Sequence, residues 1–208
     1  MRSALNVLLI FAMSIIVSSC QKDTTNPETI DHTKDFINVA IADRSDRSSD
    51  YFIRGEFDDK LIYFTSTSAS QSTDDTGWNT QFLNVSIGMD QINLVRQNRT
   101  NSIEIAIIFE QSNIFKQQFP YFVPAGNGEF AGIQLIDMKN LESAPQGSSQ
   151  DDFTFGNTTG KALNIQVSSL ADSTMEGTFE GYLSSKSGSS ILVKNGYFRI
   201  KIKVVDTK

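Results

Sequence analysis

The sequence predicts an all-β fold, an antiparallel β-sandwich of about ten short strands, with a closed or partly open β-barrel as the alternative. Three observations predict it. Apolar and polar residues alternate with period two in the strongest runs, turn residues separate those runs at regular spacing, and little of the chain carries helical periodicity. With 39% hydrophobic residues, 20% charged residues and 15 Phe, the 208-residue chain can fill one core and needs no second domain.

In chain order, Phe36-Ile37 and Val39 to Ile41 are the first residues able to pack, enough for a short strand or a turn of helix. Strands are expected at Tyr51 to Phe57, Leu61 to Thr67, Gln81 to Ile87 and Gln91 to Arg96. In "SIEIAIIF" the residues Ile103, Ile105, Ile107 and Phe109 share one face, which makes a half-buried strand. A turn or two of helix fits Gln111 to Gln118, stopped by Pro120. Phe130 to Met138 reads as a strand, and the stretch Leu141 to Asp152, rich in Ser, Gln and Gly, reads as an exposed loop. "ALNIQVSS" puts Leu163, Ile165 and Val167 on one face. Met175 to Ser184, Ser190 to Lys194 and Tyr197 to Val205 then form a meander, its last two strands joined by a type I′ turn at Asn195-Gly196.

The N-terminus has another character. Met1-Arg2 precede the apolar run Ala4 to Val17, about 14 residues and short of the ~20 that span a bilayer, so the run reads as a signal peptide. It ends in Val17-Ser18-Ser19-Cys20, and Cys20 is the only cysteine of the chain. These residues resemble the lipobox of bacterial lipoproteins, in which the Cys sulfur takes a diacylglyceryl group and becomes the first mature residue. Several acyl chains hold a protein on a membrane where one would let go. The resemblance implies residues 1–19 as signal peptide, 20–35 as a lipidated flexible tether and 36–208 as a single all-β domain.

Gln21-Lys22-Asp23 is similar to the export signal of Bacteroidota surface lipoproteins, with Thr24 where a second acid is usual, and implies the outer membrane and the cell surface. Gly177, Thr178, Phe179, Gly181, Gly188, Asn195, Gly196 and Phe198 resemble the GTFxG...NGxF pattern of small uncharacterised Bacteroidota lipoproteins. That resemblance implies a lipid-anchored β domain and brings no activity. Asp23-Thr24-Thr25 and Asp172-Ser173-Thr174 are similar to Bacteroidota O-glycosylation acceptors, making Thr24 and Ser173 candidates.

The formal net charge of −6 becomes about −7 once Arg2 is cleaved away, which speaks against nucleic acid as a partner. His32, the only His, lies in the tether, so nucleophile–His pairs and His-based zinc sites find no residues. No cofactor and no metal are expected. Acidic loops at Asp43, Asp46 and Asp50, or at Asp74, Asp75 and Asn79, match no calcium-loop spacing and read as solvated.

A glycosidase needs only two carboxylates at a set separation. Candidate pairs are Asp58 with Asp59, Asp74 with Asp75, Asp151 with Asp152, and Glu176 with Glu180, although the adjacent pairs suit turns better. Trp78 in "DDTGWNT" and the aromatic stretch "FPYFVPAG" offer rings that stack on a sugar, anchor a partner, or fold back on the domain. The sequence therefore points to a lipid-anchored envelope lipoprotein acting as a binding or structural module for a glycan or protein rather than as a catalyst. A barrel-type carrier of a small apolar ligand and a carboxylate-dependent carbohydrate hydrolase are the alternatives.

Overall fold

A computed structural model describes residues 34–39, 50–66, 78–84, 89–110, 114–123, 130–157 and 162–205, all within the compact unit His32–Lys208. A short helix α1 (Asp35–Val39) is followed by β1 (Phe52–Phe57), β2 (Lys60–Ser66), β3 (Trp78–Asn84), β4 (Met89–Asn98), β5 (Ile103–Glu110), β6 (Tyr121–Phe122) and β7 (Phe130–Asp137). Helix α2 (Met138–Glu142), β8 (Thr154–Gly156), β9 (Leu163–Ala171), β10 (Thr174–Ser185) and β11 (Ser190–Val205) complete the chain order.

The all-β expectation holds, and of the two architectures the barrel is the one formed. Strands β1, β11, β10, β8, β7, β5, β4 and β2 pair in that order, and β2 returns to β1, closing an 8-strand antiparallel ring. A sandwich would leave two open sheets; here the β2–β4 pairing removes the edge. The two longest strands, β10 and β11, pair with each other and with two further strands each. β11, with 16 residues, pairs β1 through Val193–Arg199 and then β3, in parallel, through Lys201–Val205. β10 pairs β9 from Thr174 to Gly181 and β8 at Ser184-Ser185, and β6 adds to the far side of β9.

Asn195-Gly196 does not turn the chain. It lies inside β11, where pairing continues on both sides of it and β11 holds one residue more than either β1 or β10 across the same span. The dipeptide makes a β-bulge. Asn195 supplies a positive φ of 52°, and Gly196 passes so close to the Phe179 carbonyl and ring that a Cβ would collide with them. Two neighbours' worth of pairing outweighs the local hairpin preference. The tight turns are elsewhere: Asp58-Asp59 (φ 45° and 63°) joins β1 to β2, and Asp172-Ser173 (φ 49° and 62°) joins β9 to β10. Both are type I′ geometry, built from short side chains that tolerate left-handed backbone.

The described interior positions carry large apolar side chains. Phe57, Phe64, Phe109, Phe179 and Phe198 are fully buried among Ile, Leu and Val, with Phe57 edge-on to Phe64 at 5.7 Å. Arg96 shares the inward face of β4 with Leu94, is 1% exposed, and donates from Nη1 to the Val95 carbonyl at 2.8 Å. Loss of water around that guanidinium pulls its pKa down to about 10. Helix α1 seals one end: Phe36 and Ile37 join the core, Phe36 lies 5.7 Å from Phe155, and Lys34 bridges Asp58 (2.7 Å) and the Ser190 carbonyl (2.9 Å).

The expected loop Leu141 to Asp152 is more ordered than its composition suggests. Asp137 ends β7 and caps α2 by accepting from the Asn140 amide at 3.1 Å, and Ser149 with Asp152 forms a capping box on a 3-10 turn at Gln150–Phe153. The helical turn expected near Gln111 to Gln118 is a 3-10 turn at Ile114–Lys116.

Candidate functional site

Of the residues singled out from the sequence, Val17, Ser18, Ser19, Cys20, Gln21, Lys22, Asp23, Thr24, His32, Asp43, Asp46, Asp74 and Asp75 lie outside the described residues. Trp78 opens β3 rather than sitting in a loop, and its side chain is likewise outside what is described. Ser173 is exposed at the β9–β10 turn and Asp50 is exposed before β1. Among the described residues no group of three or more His, Cys, Asp or Glu side chains could hold a metal ion.

Of the six candidate carboxylates among the described residues, four are engaged by the fold, while Asp151 is exposed and Glu180 faces a cleft. Asp58 pairs with Lys34 and accepts from the Leu192 amide at 2.8 Å, and Asp59 pairs with Lys194 at 2.8 Å. Asp152 pairs with Lys186 at 3.1 Å, a contact that, with the Ser149 amide, holds its carboxyl below the usual range. Glu176 accepts from Tyr197 Oη at 3.1 Å and from Arg199 Nε at 3.2 Å. Around it, Arg54 lies over the Tyr197 ring at 5.7 Å, and Phe52 packs between Tyr63 (6.3 Å) and Tyr197 (5.8 Å). Partial burial, then the neighbouring Glu176 carboxylate, raises the Tyr197 phenol above its ordinary pKa.

Glu180 is different. It stands on the same outward face of β10 as Glu176, opposite the bulge, and faces a cleft of about 520 Å³ lined also by Phe122, Asn164, Gln166, Thr178, Asn195, Phe179 and Gly196. Register explains the gathering. Phe122 is opposite Gln166 across β6–β9, Gln166 is opposite Thr178 and Asn164 opposite Glu180 across β9–β10, and the bulge brings in Asn195. Bulges re-aim side chains in this way. Among the described residues, Asn164, Gln166, Thr178, Glu180 and Asn195 make no side-chain hydrogen bond and no ion pair. Among the described residues, no Lys or Arg lines the cleft. Phe122 is 64% exposed, while its neighbour Tyr121 packs on the core.

A second cleft, about 480 Å³, lies by Phe36, Phe155, Asp137 and the Asp152–Lys186 pair. Its charged groups are already committed to a cap and an ion pair.

Of the groove, sequence reasoning flagged Glu180 and the aromatic stretch holding Phe122. It missed Asn164, Gln166, Thr178 and Asn195 as ligand contacts. Their signal is the pairing of β9 with β10 and β6, which no local pattern carries. Fold and site together define a closed antiparallel β-barrel with a groove of polar side chains on its outer wall. No protein-family model matches the chain, and neither a curated protein nor a solved structure matches it.

Proposed function

We propose that this protein is an envelope lipoprotein, anchored in the outer membrane through acylated Cys20 and exposed at the cell surface, that works as a binding module. The observation that carries the reading is the placement of the only cysteine at the end of Val17-Ser18-Ser19-Cys20, directly after an apolar run and before a polar stretch. The groove of unengaged polar groups on the outer wall supports binding as the role of the barrel. The two alternatives have less support. A carrier of an apolar ligand needs a lumen, and the described interior positions are taken by Phe57, Phe64, Phe109, Phe179 and Phe198. A hydrolase needs two carboxylates free to act, and Glu176 is tied to Tyr197 and Arg199.

Metabolic labelling with a palmitate analogue tests the anchor. The wild-type chain takes up the label, sediments with outer membranes and is shaved by external protease; Cys20→Ser does none of these. Uptake of label by Cys20→Ser, or a wild-type mature mass that does not begin at Cys20, refutes the proposal.

A further inference from the structure

We infer that the groove between β6, β9, β10 and β11 binds a neutral glycan. This rests on the binding-module reading and adds the class of ligand. The first support is Phe122. A two-residue strand paired to β9 holds its ring outward at 64% exposure, over a row of polar side chains. An aromatic face presented this way accepts the C–H face of a pyranose ring, which is apolar on one side and polar at its rim.

The second support is the row itself. Asn164, Gln166 and Asn195 each offer a donor and an acceptor, Thr178 a hydroxyl and Glu180 a carboxylate. Sugar hydroxyls both donate and accept, so this mixture suits them. With strands about 4.8 Å apart, the row from Phe122 to β11 covers about 14 Å, room for more than one ring of an oligosaccharide. None of these side chains is bonded within the described protein, so binding breaks no internal contact.

The third support is charge. Among the described residues no cation lines the groove and one carboxylate does, and the whole chain carries −6. Phosphate, sulfate and uronate groups are repelled there. A protein partner would want a broader apolar centre than one ring.

The full lipidated chain, purified in detergent, is passed over immobilised neutral oligosaccharides of β-glucan, α-glucan, xylan and mannan type, with sulfated chondroitin oligosaccharide as the anionic control. Retention by at least one neutral type is expected, weakened about tenfold or more in Phe122→Ala. Glu180→Gln and Asn195→Gly, the second of which keeps a residue suited to positive φ, should also weaken it. Thermal midpoints should match wild type. Retention by no neutral type, retention indifferent to all three variants, or preference for the sulfated control overturns the inference. Loss of the anchor in the palmitate experiment would instead overturn the lipoprotein reading, and retention in the glycan experiment would survive that result.

Discussion

Glu176 and Glu180 share a strand and a face, and the fold treats them in opposite ways. Glu176 is held by Tyr197 and Arg199, with the Arg54 guanidinium over the Tyr197 ring and Phe52 packed beside it. Glu180, opposite the β11 bulge, faces amides, a hydroxyl and an exposed ring with no bond to any of them. The contrast separates two uses of surface polarity. The first region ties side chains together across the wall, and the second holds polar groups that no side chain of the described protein uses, where we propose the ligand binds. The Asn195-Gly196 bulge lies opposite Glu180, and both of its residues line the groove.

The largest effect should come from removing what both regions rest on. Phe198 is fully buried under β10, packed against Phe109 at 6.5 Å, so Phe198→Ala should cost about 3–5 kcal/mol in urea unfolding. Gly177→Val should be at least as severe, since a Cβ there collides with the Gln166 carbonyl and the Phe198 ring. Near-wild-type unfolding of either would mean that the wall is not held as described.

Next come changes on the engaged side alone. Glu176→Gln and Tyr197→Phe should each cost about 1 kcal/mol, a figure kept small because the pair is partly open to water. Tyr197 also gives the contrast a pH signature. Its phenol pKa is raised in the folded state, so the native protein holds that proton more tightly than the unfolded chain. Stability is therefore intact below the ordinary tyrosine range of about 10 and falls as pH rises through it. The decline should be shallower in Tyr197→Phe, and an identical alkaline limb in the two proteins would count against the Glu176–Tyr197 contact. Smallest of all, Phe122→Ala and Glu180→Gln should shift stability by no more than about 0.5 kcal/mol.

The strands were legible wherever apolar residues alternate with others in the sequence: β5, β9 and the end of β11 follow from that pattern alone. β6 and β8, of two and three residues, are too short to show a period, yet β8 closes the ring and β6 holds Phe122. Asn195-Gly196 misled because its local preference is for a turn, while pairing with both neighbours dictates a bulge. The candidate site was readable only at its ends, Glu180 and Phe122. Its middle is assembled from polar positions that look like ordinary solvated faces until β9 is laid against β10.

The most direct test crosses the two glutamates with two readouts, urea stability and retention on the neutral oligosaccharide that holds the wild type. Glu176→Gln should lower stability and leave retention intact, while Glu180→Gln should leave stability intact and lower retention. If both substitutions move the same readout, or if Glu176→Gln is the one that abolishes retention, the division of this barrel wall into a structural side and a binding side is wrong.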